Sequence, residues 1–153
     1  MTRLQKLEEL LERVRTRGAS PSARVTAVRD ALQATAVALN GVASAQVAVT
    51  VAFLNGEPLG EPRAALNTAR EFASEAKSVL LAALEALRGS SLPPLDKGPD
   101  REQVKKDTEV LLELVQQDAL LPSGYIELTA GYVDLLAALE EQLELDRFKE
   151  QLS

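Results

Sequence analysis

The chain has 153 residues, with 17 Lys and Arg against 23 Asp and Glu, and it contains no Cys, His or Trp. A chain of this length is expected to form one domain, here 1–153, and to fold without a metal or a disulfide. The missing Cys and His exclude thiolate metal sites, cysteine nucleophiles and histidine general bases, so the sequence offers few routes to catalysis.

The net charge of −6 is unevenly distributed. Residues 1–30 carry seven basic and four acidic groups, residues 31–56 carry none, and residues 99–153 carry five basic and thirteen acidic groups. An acidic C-terminal third repels phosphate, which argues against nucleic acid as a partner. We expect the basic N-terminal segment to pack beside the acidic segment within one fold.

Two helices are predicted before residue 40. Apolar residues from Leu4 to Val14 recur at helical spacing and predict a helix over 3–17. Met1 is not followed by a basic segment and then an apolar one, so we expect no secretory signal peptide and a cytoplasmic location. The composition is rich in Arg, Ala and Leu, which is typical of bacterial or phage coding. A second helix is predicted over 21–39, ended by Asn40 and Gly41.

The uncharged segment over 31–56 allows three interpretations. A transmembrane span is disfavoured because polar residues and the Asn-Gly pair interrupt it. Strict alternation of Val47, Val49, Val51 and Phe53 is typical of a strand, which gives an α+β alternative with a strand at about 45–54. We favour a short helix over 43–54, because a lone strand has no partner among helices. In either form the segment is predicted to be the buried centre of the fold.

A loop and a long helix are predicted next. Residues 55–62 contain two Gly and two Pro and are predicted to be non-helical. The helix that follows is predicted to end at Gly89. Its heptad stripe carries Ala at the middle positions, which predicts a seam where a neighbouring helix approaches closely; the stripe comprises Leu66, Ala69, Ala73, Ala76, Leu80, Ala83 and Leu87.

The C-terminal half is predicted to hold two further helices after a hinge at 89–99. Asp100 and Gln103 have the spacing of a capping box, and the helix that they begin is predicted to continue to Pro122. The last helix is predicted to begin near Gly124 or Ile126, and its apolar stripe moves to another face at Leu145, Phe148 and Leu152. This shift indicates a second contact, with another part of the chain or with another subunit.

No constellation of residues indicates catalysis. A Ser-x-x-Lys string at Ser74 and Lys77 lacks the companion motifs of penicillin-binding enzymes, and no glycine-rich phosphate loop is present. Carboxylate pairs such as Glu140 and Glu144 fall outside the apolar stripes, as is typical of a solvated helix face. Tyr125, seven residues before Tyr132, lies on the same side of the last helix, at the predicted edge of the core.

The sequence therefore predicts an all-α protein, a compact bundle of five or six helices with an alanine-rich central seam. The predicted function is a non-enzymatic protein-binding module, such as an adaptor, inhibitor or regulatory subunit, without cofactor or metal. The alternatives are a self-assembling structural subunit and a helical protein that acts on an apolar ligand or a membrane, the membrane being disfavoured as a partner. The candidate partner-binding residues are Tyr125, Tyr132, Leu145, Phe148 and Leu152.

Overall fold

The chain folds into helices that belong to the all-α class, as predicted. The computed structural model describes Gln5, Glu9, Glu12 and residues 21–89, 100–117 and 131–145, and within these residues it contains no strand. Helices α1, α2 and α3 span Pro21–Leu54, Gly60–Arg88 and Arg101–Gln116, and residues 131–145 form α4. Gln5, Glu9 and Glu12 are also helical. The number of helices in the whole chain depends on segments outside the described residues.

Helix α1 passes straight through the pair of residues that was predicted to end it. The expected helix end at Asn40 and Gly41 is wrong, because α1 continues without interruption to Leu54. A single Gly in a helix costs only about 1 kcal/mol relative to Ala. Packing of α1 along α2 outweighs that local preference, and the two helices form one long antiparallel hairpin.

Residues 45–54 are helical, so the alternative of a strand there is wrong. The expectation that the uncharged segment is the buried centre is also wrong for its second half. Ala31, Leu32 and Leu39 are buried, whereas Val47 and Phe53 are exposed. The alternation of β-branched and small residues is thus accommodated by a helix that contacts the rest of the described chain along one side only.

The lower half of the hairpin forms a four-helix core with α3 and α4. Helix α1 packs on α2, and α2 packs on α3. The hydroxyl groups of Thr108 on α3 and Tyr132 on α4 lie 2.9 Å apart, and Glu140 on α4 accepts a hydrogen bond from Thr26 on α1. Each helix therefore has two neighbours, in the cyclic order of a bundle. The largest fully buried apolar side chains in this core are Val25, Val28, Leu80, Leu84, Val104, Leu136 and Leu139.

The turn between α1 and α2 is shorter than predicted. Helix α2 begins at Gly60, so Pro62 lies inside its first turn and the predicted loop over 55–62 is three residues too long. Proline is compatible with the first turn of a helix, where backbone N–H groups have no helical acceptor. Gly56 adopts a φ of 68°, and the Glu57 amide donates to the Ala52 carbonyl at 2.9 Å, which closes the turn.

The signals at the ends of α2 and α3 act as expected in most respects. Gly89 follows the last residue of α2, as predicted, and the remainder of the predicted hinge lies outside the described residues. The Asp100 side chain accepts a hydrogen bond from the Glu102 amide at 3.0 Å. Gln103 bonds to Asp107 in the next turn. Helix α3 ends at Gln116, before the predicted boundary at Pro122, which lies outside the described residues.

Candidate interaction surface

The α1–α2 hairpin is about twice as long as the bundle that holds its base. At 1.5 Å per residue, the 34 residues of α1 span about 51 Å, and the 16 residues of α3 span about 24 Å. Buried residues on α1 are continuous with the core only as far as Leu39, and on α2 only from Ala73 onward. Residues 40–71 therefore project beyond the four-helix core as a two-helix tip.

The inner face of the tip pairs α1 with α2 in a fixed register. Thr35 is fully buried, and its hydroxyl lies 3.3 Å from the Ala76 carbonyl on α2. Antiparallel pairing from this point places Ala38 of α1 opposite Ala73 of α2 and Ala52 opposite Leu59. The α1 residues along this line have heptad spacing and are buried or half-buried; they are Ala38, Val42, Ala45, Val49 and Ala52. We call this line the inner seam. Its small residues allow the two helices to lie close together.

The opposite face of α1 carries a second line of residues with the same heptad spacing, and every one of them is exposed. We call this line the outer seam; it comprises Gln33, Val37, Asn40, Ser44, Val47, Val51 and Leu54. Its apolar members are large, and their exposed fractions are 45% for Val37, 62% for Val47, 48% for Val51 and 75% for Leu54. A helix with apolar residues on both faces is normally buried on both faces. In the described part of this chain, only the inner seam is covered.

The electrostatics of the tip differ between its two helices. The α1 half is part of the uncharged segment over 31–56. The α2 half presents both signs of charge on its exposed side, from Glu61, Arg63, Arg70 and Glu71. The tip therefore has one uncharged side and one side that carries both signs of charge.

The residues predicted to bind a partner are placed differently from one another. Leu145, the last described residue of α4, is 49% exposed. Tyr132 is buried in the bundle, so its side chain does not reach a partner in this structure. The other three candidates, Tyr125, Phe148 and Leu152, lie outside the described residues.

Tyr132 takes part in a buried polar contact between α3 and α4. The Thr108 hydroxyl donates to the Val104 carbonyl at 2.7 Å, so the Tyr132 hydroxyl is the donor in its own contact with Thr108. Burial raises the pKa of Tyr132 to about 12, the hydrogen bond with Thr108 opposes the rise, and the charge of Asp107 adds to it. The phenol is therefore neutral at physiological pH and serves the packing of the core.

The structure also gives Glu140 a role that sequence reasoning missed. Glu140 was expected on a solvated face, but it is half-buried and forms an ion pair with Arg29 on α1 as well as accepting the Thr26 hydroxyl at 3.1 Å. This contact joins the basic N-terminal part of the chain to its acidic C-terminal part, in agreement with the expected packing of the two. In the sequence, the only sign of this ion pair is the unequal distribution of charge between the two ends of the chain.

Most of the outer seam lies in the uncharged segment over 31–56, which the sequence predicts to be the buried centre of the fold. Its signal is the heptad spacing over Gln33 to Leu54 combined with the absence of charge. Helix α1, over Ala23–Leu54, is long and apolar enough to cross a membrane by length and composition, which is weak evidence for a span.

Within the described residues, no group of three or more Asp or Glu side chains lies close enough to hold a metal ion.

Comparison with known proteins gives no relative to which the chain can be assigned. No protein family, no curated protein and no solved structure matches it at a significant level. The functional argument therefore depends on the geometry of the hairpin alone.

Proposed function

We propose that this protein is a non-enzymatic protein-binding module and that the outer seam of α1 is its binding surface. The observation that carries the proposal is the group of large apolar side chains, Val37, Val47, Val51 and Leu54, that are exposed on one face of a projecting helix. Single exposed apolar residues are ordinary in soluble proteins, but several large exposed apolar residues on one face indicate an interaction site. The lack of His, Cys and catalytic motifs supports a role in binding, and a chain without Cys suits the reducing cytoplasm.

A protein partner explains the tip better than a membrane does. Insertion of the tip into a bilayer as a unit would bring Glu61, Arg63 and Arg70 of α2 into the hydrocarbon region together with α1. Charged side chains there cost several kcal/mol each. A protein surface can cover the α1 side and leave the α2 side in water. An amphipathic helix that lies along an apolar surface in this way is a common mode of recognition.

The test compares the wild-type chain with a variant of the outer seam and a matched control. The variant V47E/V51E places two carboxylates on the outer seam, and the control N67E/T68E places two on the exposed side of α2 in the same tip. All four positions are exposed, so neither variant should disturb the core. Proteins that are retained from the native host by each form are identified, and the binding of each is then reconstituted with purified components.

The expected result is a reconstituted interaction that the wild type and the control share and that V47E/V51E loses. Identical binding by all three forms would contradict the proposal, because the outer seam would then contribute nothing. Retention of lipid vesicles by the wild type and the control, with no protein bound, would contradict it in favour of a membrane surface.

A further inference from the structure

Residues 46–54 form a helix although their local sequence favours an extended chain. The β-branched residues Val and Thr and the aromatic residue Phe are weaker helix formers than Ala or Leu and are enriched in strands. The segment contains no charge and no Gly or Pro that would interrupt a strand. Five of its nine residues are strand formers, which are Val47, Val49, Thr50, Val51 and Phe53. The helical form of this segment therefore needs support from packing.

Packing gives the segment little support within the described residues. Seven of its nine side chains are exposed, Val49 is half-buried, and Ala52 is buried but contributes a single carbon atom. The Thr50 hydroxyl donates to the Gln46 carbonyl at 3.0 Å, a bond within α1 that does not join it to α2. Helices in proteins owe most of their stability to the packing of one face. We therefore expect the end of α1 to open more readily than its base.

The opened segment has the composition of a cross-β core. In an extended chain, Val47, Val49, Val51 and Phe53 lie on one face and mostly small residues lie on the other. Segments of six or seven residues with high β propensity, low charge and no Pro stack with copies of themselves, because identical side chains interdigitate. The charged residues that normally flank such a segment limit this stacking. Here Glu57 follows closely, but on the N-terminal side the nearest charge is Asp30.

From this conflict between local preference and structure we propose that residues 46–54 are a helix-to-strand switch at the end of the hairpin. The folded monomer keeps the segment helical. When the tip opens, the segment becomes a strand that pairs with the same segment of other copies of this chain, while the four-helix core stays folded. The proposal goes beyond the proposed function, because it concerns an opened state and not the surface of the folded helix.

The first experiment incubates the full-length wild type at high micromolar concentration over a series of urea concentrations, from native conditions to beyond the main unfolding transition. Thioflavin T fluorescence and the infrared amide I band report β-sheet. We expect β-rich assemblies to form fastest just below the transition, where the tip is open and the core is folded. No β-rich assembly at any urea concentration would overturn the proposal. Association with unchanged helix content would also overturn it, because it would be a contact between folded helices.

A pair of isomeric substitutions separates β propensity from apolarity. V47I/V51I and V47L/V51L add the same number of carbon atoms at the same exposed positions. Ile branches at Cβ and favours a strand, whereas Leu favours a helix. The Ile variant should form β-rich assemblies at least about fivefold faster than the Leu variant. Equal rates, or a faster Leu variant, would overturn the proposal, since adhesion between apolar side chains would then explain the assemblies.

A matched pair of charge substitutions locates the switch. Thr50 and Thr68 are both exposed, on α1 and on α2 of the same tip. T50E places a carboxylate in the middle of the segment, where stacked strands would hold like charges side by side, and it should slow assembly at least about tenfold. T68E adds the same charge outside the segment and should leave the rate unchanged. Equal rates for T50E, T68E and the wild type would overturn the proposal.

Amide hydrogen exchange of the assemblies identifies the residues that pair. Residues 46–54 should exchange much more slowly in the assemblies than in the dilute monomer, because their amides are then bonded between strands. Protection of other residues, with 46–54 still exchanging fast, would overturn the proposal. The proposed function is tested separately, by partner binding of the folded chain, so either can fail without the other.

Discussion

At the scale of single residues, Tyr132 is predicted from the sequence to contact a partner, but it lies in the core of the bundle instead. Its ring lies among the buried residues of the bundle, and its hydroxyl donates to Thr108 on the neighbouring helix. A buried Tyr needs such a partner, because an unsatisfied hydroxyl is costly in an apolar interior. The sequence gives no sign of this pairing, since Thr108 and Tyr132 are 24 residues apart and lie on different helices.

The raised pKa of Tyr132 predicts a loss of stability at alkaline pH. Below pH 10 the phenol is protonated in both the folded and the unfolded chain. Between pH 10 and about 12 the unfolded chain releases the proton and the folded chain keeps it, so the free energy of unfolding falls as pH rises. The total loss from this residue is about 3 kcal/mol, since each pKa unit corresponds to about 1.4 kcal/mol.

The variant Y132F isolates this effect. At pH 7 it should be less stable by about 1 kcal/mol, because it loses one buried hydrogen bond. From pH 10 upward its stability should decline less steeply than that of the wild type, with every other titrating group common to both. Urea unfolding across this pH range measures the difference, and parallel pH profiles for the two proteins would contradict the assignment.

At the scale of elements, the sequence predicts a helix end correctly where a local capping residue ends the helix. It predicts the end wrongly where packing between helices determines the length of the helix. Gly89 and Asp100 lie at helix ends as their chemistry requires. Asn40 and Gly41 carry the same kind of signal, yet they lie within α1. Local preferences of about 1 kcal/mol are outweighed by the packing of two long helices on one another. The sequence could therefore indicate the helical class but not the length of α1.

Two glycines of the hairpin should respond in opposite ways to replacement by Ala. Gly41 lies in the interior of α1, and a Cβ built there meets no atom within 4 Å. G41A should therefore raise the free energy of unfolding by about 0.5–1 kcal/mol. Gly56 has a φ of 68°, which Ala adopts at a cost, so G56A should lower stability by about 1–2 kcal/mol. Urea unfolding at low protein concentration measures both changes.

The contrast between these two variants tests whether α1 is continuous. If the helix ended at Gly41 with a positive φ, G41A would be destabilising, in the same direction as G56A. The same comparison bears on the outer seam, because a break at Gly41 would mean that Val37 and Val47 do not share one face of a continuous helix.

At the scale of the whole molecule, the sequence and the structure disagree about where the interior is. The absence of charge over 31–56 predicted that this segment lies at the centre of the fold. The antiparallel register set by Thr35 and Ala76 instead aligns α1 with α2 along their full lengths, while α3 is about half as long. Helix lengths and register depend on contacts between residues that are distant in sequence. The apolar pattern of a single segment therefore cannot predict them. The exposed outer seam is a consequence of that difference in length.

This architecture predicts two levels of stability within one hairpin. Residues 25–39 and 73–87 lie in a four-helix core, whereas the described residues cover 42–54 and 63–71 on one side only. Local opening is easier where fewer apolar contacts are buried. Amide hydrogen exchange of the dilute protein should therefore be faster in the tip than at the base, although both parts are helical.

Binding of a partner should then change exchange along the outer seam. The outer seam runs from residue 33 to residue 54, so exchange there should slow when the reconstituted partner is added, while exchange at residues 25–32 should stay constant. V47E/V51E should lose this slowing, and N67E/T68E should keep it. Slowing that spreads equally over the bundle would place the contact elsewhere, because a partner on the outer seam protects one part of a continuous helix and leaves the other part unchanged.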